Sequence, residues 1–265
     1  MHVLRRRISE PGRSDAAVAL VADLVGRVED SLLQTTPFPH TYLEHIFPRE
    51  YYCQLLDRLP SVHRYRELRH RDALLPDGRS ARRKFYLYPE HMLLLPGDQR
   101  ALWLSLSHAL RARRLQDAFK RKFQVALERR FGRSIDHLSF YPVAMLLRDL
   151  PGYRIGVHGD SLRKALTVQF YLPRDDSQAH LGTLLHEGRT GPAAERFKRL
   201  PFRPATGYAL PVLYHESWHS VVQTGPTDGE RNSIMLTYYV QERLIDRIVE
   251  RLKRGWLFIA YWLRP

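Results

Sequence analysis

Two clusters of histidine and carboxylate side chains carry most of the chemistry this sequence could do. In the first, His158, Gly159 and Asp160 follow the β-favouring run GYRIGV. Side chains alternate faces along a strand, so His158 and Asp160 point the same way and could bind one ion together. His219, 61 residues after His158, opens another β-rich run and offers a third ligand. Two imidazoles and one carboxylate form the facial set that leaves open positions on a non-heme Fe(II). Alone, an H-x-D pair is weak, because two solvated polar residues with no ligand role satisfy it equally well.

The second cluster is His215-Glu216-Ser217-Trp218-His219, which fits the H-E-x-x-H pattern of zinc peptidases. That pattern needs a helix to place both histidines on one ion. Here TGYALPVLY precedes it and a turn at Thr224 to Pro226 follows, which favours strands. On a strand the two histidines would stand about 13 Å apart, too far for one ion. The zinc-peptidase reading is disfavoured.

Several elements must position these residues. Asp15 to Leu33 and Arg49 to Leu59 read as helices around a short strand at His40 to Leu43, and Ser61 to Ser80 reads as a loop. KFYLYP (Lys84 to Pro89) is β-like. Gln99 to Phe131 has apolar residues three to five apart, giving one or two amphipathic helices. From His137 onward, seven short β-rich runs alternate with Gly, Pro and Asp turns, which argues for a sandwich or barrel over an α/β fold.

Of the 265 residues 44% are hydrophobic and 26% charged, a balance that excludes disorder throughout. Cys53 is the only cysteine, so a disulfide framework and a four-cysteine zinc site are excluded and a reducing compartment fits. Any metal site must use His, Asp and Glu. The start MHVLRRRISEPGRSD lacks the apolar run of a signal peptide, and GWLFIAYWL (255–263) is roughly half the ~20 residues a spanning helix needs. A cytoplasmic protein is therefore expected. The C-terminal stretch is expected to dock its aromatics on the core, with peripheral contact at an inner membrane surface through Trp256 and Trp262 as the alternative.

Lys plus Arg (42) exceeds Asp plus Glu (28) by 14. Part of that excess lies on the helices at Arg111, Arg113, Arg114, Lys120, Arg121, Lys122, Arg129 and Arg130, on what reads as a solvated outer face. Nucleic-acid binding would want aromatics among these cations, and the aromatics fall on the apolar side. Nucleic acid is disfavoured as a partner.

The stretches PGYRIGVHGDSLRKALTVQFYLP, HLGTLLHE, TGYALPVLYHESWHSV and DGERNSIMLTYY together resemble the core of the Fe(II)/2-oxoglutarate-dependent dioxygenases. The ordered features are His158 and Asp160, Tyr171-Leu172, Gly182-Thr183, the distal His219, and Arg231-Asn232-Ser233. PFPHTYLEHIFP near the N-terminus is similar to the opening of such domains. The resemblance implies an α+β fold with a double-stranded β-helix (jelly-roll, cupin-like) core flanked by N- and C-terminal helices. It divides the chain into a basic arm (1–14), a helical and mixed part packed on the core (15–135), the core (136–240) and a C-terminal amphipathic helix (241–265), all in one domain.

The resemblance further implies Fe(II) on His158, Asp160 and His219, with 2-oxoglutarate and O2 as cosubstrates. The distal carboxylate of 2-oxoglutarate would meet the planar guanidinium of Arg231, with Ser233 on the same face. Tyr141, Arg148 and Tyr153 would line the pocket, Arg148 meeting a carboxylate of cosubstrate or substrate. Succinate and CO2 would be released as a C–H bond is oxidised. Asp160 favours hydroxylation over halogenation, where a small residue replaces that ligand. Thr237 stands where nucleic-acid demethylases carry a second arginine, and Arg231 where prolyl hydroxylases usually carry lysine, so both substrates are disfavoured. The basic loop Arg64 to Lys84 points to an anionic substrate, either a small molecule or one held on a carrier. The alternatives from other classes are a non-catalytic jelly-roll binding protein and a basic adaptor at a membrane or nucleic acid.

Overall fold

A computed structural model describes residues 11–68, 73–241, 252, 254–260 and 262–263. From the N-terminus, α1 (Pro11–Asp30) leads through β1 (Leu33–Gln34) and β2 (His40–Leu43) to α2 (Arg49–Asp57). Short β3 (Arg66–Glu67) and β4 (Arg82–Tyr86) precede α3 (Pro89–Met92), α4 (Gly97–Leu110), α5 (Arg113–Lys122) and α6 (Gln124–Phe131). Then come β5 (Phe140–Asp149), β6 (Ile155–His158), β7 (Lys164–Tyr171) and β8 (Thr183–His186). After α7 (Pro192–Glu195) follow β9 (Phe197–Leu200), β10 (Gly207–Pro211), β11 (His219–Val221) and β12 (Arg231–Val240).

These strands form two antiparallel sheets, one ordered β1-β2-β10-β7-β12-β5-β4-β3 and the other β6-β11-β8-β9. Residues directly opposed in an antiparallel pair share a face. Asp149 opposes Arg231 and Arg82, while Met235 opposes Met145 and Gln169. One face of the large sheet therefore gathers Arg82, Asp149, Arg231, Ser233 and Gln169. The opposite face presents Leu146, Phe170, Ile234 and Leu236, all fully buried in one apolar cluster with helix residues such as Leu24, Leu106 and Phe119. Helices cover that face, which leaves the polar face turned toward the small sheet.

All seven expected β-runs contain a strand, as do the His40 and Lys84 segments. The expectation of one or two helices over Gln99 to Phe131 needs correction. Residues 99–131 form three helices, broken at Ala112 and Phe123. Within the part 15–135, β1 to β4 extend the large sheet on both edges. The boundary at residue 14 falls inside α1, which begins at Pro11, and residues 1–10 of the expected arm lie outside the described residues.

The basic helix face is also not simply solvated. Lys120 is buried and donates to Leu138 O (3.0 Å), and Lys122 donates to Glu29 O (2.9 Å) and Ser31 O (2.6 Å). Arg130 clamps three carbonyls, those of Leu162 (2.5 Å), Lys164 (2.7 Å) and Val212 (2.5 Å). Lys120 and Arg130 tie the helices to carbonyls at or beside the strand ends, and Lys122 ties α5 to the C-terminal end of α1. That use removes several of them from any binding surface.

Of the expected C-terminal helix, residues 252, 254–260 and 262 are helical, and 242–250 lie outside the described residues. Leu257 is buried and Phe258 stacks on His91, but Trp256 and Trp262 are exposed, so of these three aromatics only Phe258 docks inward as expected. Among the described residues no helix is long and apolar enough to cross a membrane.

Candidate metal centre

His158 ends β6 and His219 begins β11, and the two residues are directly opposed in the antiparallel pair. Opposition puts both rings on one face, with centroids 4.3 Å apart. Asp160 lies two residues beyond His158, just past the strand end. One ligand atom from each of His158, Asp160 and His219 lies within 4.8 Å of the others.

Hydrogen bonds set the state of each side chain. His158 Nδ1 lies 2.9 Å from Gly156 O, and His219 Nδ1 lies 3.0 Å from Ser217 O. A carbonyl only accepts, so both Nδ1 atoms carry a proton and Nε2 is the nitrogen of each ring left to meet a metal. Burial pushes His219 down to about 4 despite the opposing pull of Asp160, which keeps it neutral at pH 7. Burial alone would raise the Asp160 carboxyl, but the Lys164 ammonium, His219 and two hydrogen bonds hold it well below the usual carboxylate range. Lys164 Nζ donates to Oδ1 and Thr167 Oγ1 to Oδ2, each at 2.5 Å. Arg130 positions this loop through the carbonyls of Leu162 and Lys164.

The triad stands between two cavities. An inner one of about 320 Å³ extends from His158, Asp160 and His219 past Thr167 and Gln169 to Arg82 and Tyr153. An outer one of about 370 Å³ shares His158, Gly159 and Asp160 and is walled by Trp218, Tyr214 and Arg189. A larger cavity, about 850 Å³, lies among α1, α2 and α4 and includes none of the triad, so size does not mark the site.

Behind the inner cavity is a buried charge cluster. Asp149 accepts from Arg82 Nε (2.6 Å) and Nη2 (2.9 Å) and from Arg231 Nη1 (2.8 Å). Arg231 Nε donates to Leu181 O (3.1 Å), while Nη2 is buried with no hydrogen-bond partner among the described residues. The guanidinium lies 4.4 Å from the Phe202 ring centroid and 5.6 Å from that of Tyr171. Ser233, on the same face, accepts from Gln169 Nε2 (2.8 Å). Two guanidiniums and one carboxylate leave a net charge of about +1 in a buried setting, where an unmatched charge is costly.

The structure separates the remaining expected residues from the pocket. Arg148 faces the helix-covered side of β5, ion-paired with Glu230 and 5.8 Å from the Tyr65 ring centroid. Tyr141 stacks on Tyr239 at 5.4 Å, at the far end of β5 from Asp149. Neither is among the residues that line the inner cavity, nor are Arg231 and Ser233, which stand behind it. His215 has φ 57 in a turn, so the H-E-x-x-H run is not helical. His186 bonds to Ser220, Glu187 to Arg196 and Glu216 to Arg129, and His215 and Glu216 line the outer cavity. Arg82, Asp149, Lys164 and Thr167 were not anticipated. The i+4 spacing of Lys164 from Asp160 and the alternation Arg82, Lys84, Tyr86 are the signals that could have found two of them.

Gly182 explains the Gly-Thr turn, because a Cβ there would lie 2.0 Å from Leu200 O. The turn delivers Thr183, whose hydroxyl accepts from Tyr171 Oη at 3.0 Å near Arg231.

No family model and no curated protein matches the sequence. Among solved structures, a Pseudomonas putida prolyl-4-hydroxylase superposes with TM-score 0.51 at 15% identity, covering 84% of this chain and 99% of that one. A 2OG-Fe(II) oxygenase family oxidoreductase from Burkholderia pseudomallei gives 0.49 at 16% identity, covering 88% and 93%. A prolyl 4-hydroxylase from Phytophthora capsici gives 0.48 at 12%, covering 94% and 75%. The first match shows that this chain shares the fold of that oxygenase, a jelly-roll core with flanking helices.

Proposed function

We propose that this protein is an Fe(II)- and 2-oxoglutarate-dependent oxygenase that hydroxylates a C–H bond of an anionic small molecule or carrier-bound substrate. The observation that carries this reading is the triad itself. Two imidazoles, each with Nδ1 engaged by a backbone carbonyl, and one ionised carboxylate converge between two cavities. That donor set suits Fe(II) and leaves positions for further ligands.

The buried cluster fits the cosubstrate. The unsatisfied Arg231 Nη2 and the net positive charge of Arg82, Asp149 and Arg231 call for one carboxylate, which the distal end of 2-oxoglutarate supplies. Asp149 orients both guanidiniums, and Ser233 adds a hydroxyl on the same face. Bound iron and 2-oxoglutarate would supply the oxidising chemistry, consuming O2 and releasing succinate and CO2. Lys164 and Thr167 keep Asp160 ionised and oriented, and the Nδ1 bonds keep both imidazoles aimed. The outer cavity would take the primary substrate, where Arg189 lies 5.6 Å from the Trp218 ring and offers a cation to an anionic group. Gly159 leaves room for that tryptophan, since a Cβ would come 3.3 Å from its ring.

The test is a screen of anionic metabolites scored by succinate release with Fe(II) and 2-oxoglutarate under air. Substrate-dependent succinate that disappears in His158→Ala supports the reading. Absence of 2-oxoglutarate binding to the metal-loaded protein by calorimetry would overturn it in favour of a non-catalytic jelly-roll.

A further inference from the structure

The C-terminal helix has two faces with opposite fates. On one, Leu257 is buried in the main core and Phe258 stacks 6.3 Å from the His91 ring. Arg254 makes a bidentate ion pair with Glu90, at 2.7 and 2.6 Å, and lies 4.8 Å from the Tyr88 ring. Arg66 donates to Ala260 O. On the other, Leu252, Trp256, Ile259 and Leu263 are 70%, 66%, 53% and 67% exposed, and Trp262 is 67% exposed. At 3.6 residues per turn the first four fall within about 60° of one another, opposite Arg254 and Leu257. The inner face is clamped by an ion pair and core packing, so the helix cannot roll to hide the outer stripe without losing both.

We infer that this stripe is a docking surface for an anionic lipid bilayer, with Trp256 and Trp262 seated at headgroup depth. Charge selects this occupant over others. Besides Arg254, which Glu90 pairs, residues 251–265 carry Arg251, Lys253 and Arg264 and no acid, within a chain of net charge +14. Two copies meeting through this helix would bring like charges together, whereas a bilayer of anionic headgroups complements them. A nucleic acid would find cations but no use for a stripe of leucine, isoleucine and tryptophan. Apolar and aromatic residues on one face with flanking cations are what an interfacial helix requires.

The experiment uses the full chain with vesicles of phosphatidylcholine alone or with phosphatidylglycerol, read by co-sedimentation and tryptophan emission. Binding to the anionic vesicles should exceed binding to the neutral ones by at least ~10-fold, since each cation near the surface contributes roughly fivefold. Emission should shift to shorter wavelength on binding. W256Q/W262Q should lose at least ~10-fold in vesicle affinity while keeping the wild-type melting temperature, because both side chains are exposed. L252Q/I259Q provides a second, independent weakening. Equal binding by wild type and both variants would overturn the inference. So would a wild-type dimer that ignores vesicles and dissociates in W256Q/W262Q.

Discussion

Arg231 Nη1 and Asp149 Oδ2 form a 2.8 Å ion pair with both side chains fully enclosed. The pair spans β12 and β5 and shares Asp149 with Arg82, so the carboxylate holds two guanidiniums at once. Asp149→Asn should lower stability by about 3–5 kcal/mol, the cost of leaving a buried charge unmatched. Denaturant melts of the variant check this, and an unchanged midpoint would mean the cluster is solvated.

Arg231→Met should weaken 2-oxoglutarate binding to the metal-loaded protein by at least ~10-fold, the loss of one charge-assisted hydrogen bond of about 1.5–3 kcal/mol. Calorimetry against 2-oxoglutarate reads it. If Arg82→Met has the larger effect instead, the inner-cavity guanidinium is the carboxylate anchor.

Replacing a ligand should be more severe than replacing a ligand's partner. His219→Ala should reduce Fe(II) affinity by more than the ~10–100-fold expected from losing a hydrogen-bond partner of a ligand. Lys164→Met should shift the acid limb of metal binding to higher pH, because burial then raises the Asp160 carboxyl unopposed by the ammonium. Anaerobic titrations with Fe(II) across pH separate the two, and coincident pH profiles for wild type and Lys164→Met would remove Lys164 from this role.

Burial pushes the His91 imidazole down to about 4 among Tyr86, Tyr88 and Phe258. Between that value and the ~6.5 of an unfolded histidine, the unfolded chain takes up a proton that the folded chain refuses. Stability should therefore fall as pH drops from 6.5 toward 4, by on the order of 3 kcal/mol. Melting curves of wild type and His91→Phe over that window should diverge, the variant being flatter. Parallel curves would assign the acid sensitivity to another group.

Gly182→Ala should fold poorly, since its Cβ would sit 2.0 Å from a backbone oxygen that cannot move aside as a side chain could. The cost should exceed the ~1–3 kcal/mol of ordinary overpacking. Soluble yield and thermal melting report it.

The sequence by itself determined the β-runs and the Gly-Thr turn, because these signals are local, and with the ordered resemblance it singled out His158, Asp160 and His219 as candidate ligands. His158 and Asp160 share a face by their spacing alone, and the strand context of HESWH sufficed to discount a zinc helix. β9 escaped notice because its four residues, Phe197–Leu200, are mostly exposed and carry two cations. The helix breaks at Ala112 and Phe123 left no Gly or Pro to mark them. Tertiary structure alone decided which of 42 cations matter, because a cation's role depends on the strand beside it. Arg82 reads as one more basic loop residue until β4 pairs with β5 and sets it opposite Asp149. Arg148, one residue from Asp149, is sent to the opposite face by the same pleat. Burial likewise lies beyond local pattern, and it is burial that holds His219 neutral and encloses Arg231, while the exposure of Trp256 and Trp262 depends on which helix face the core accepts.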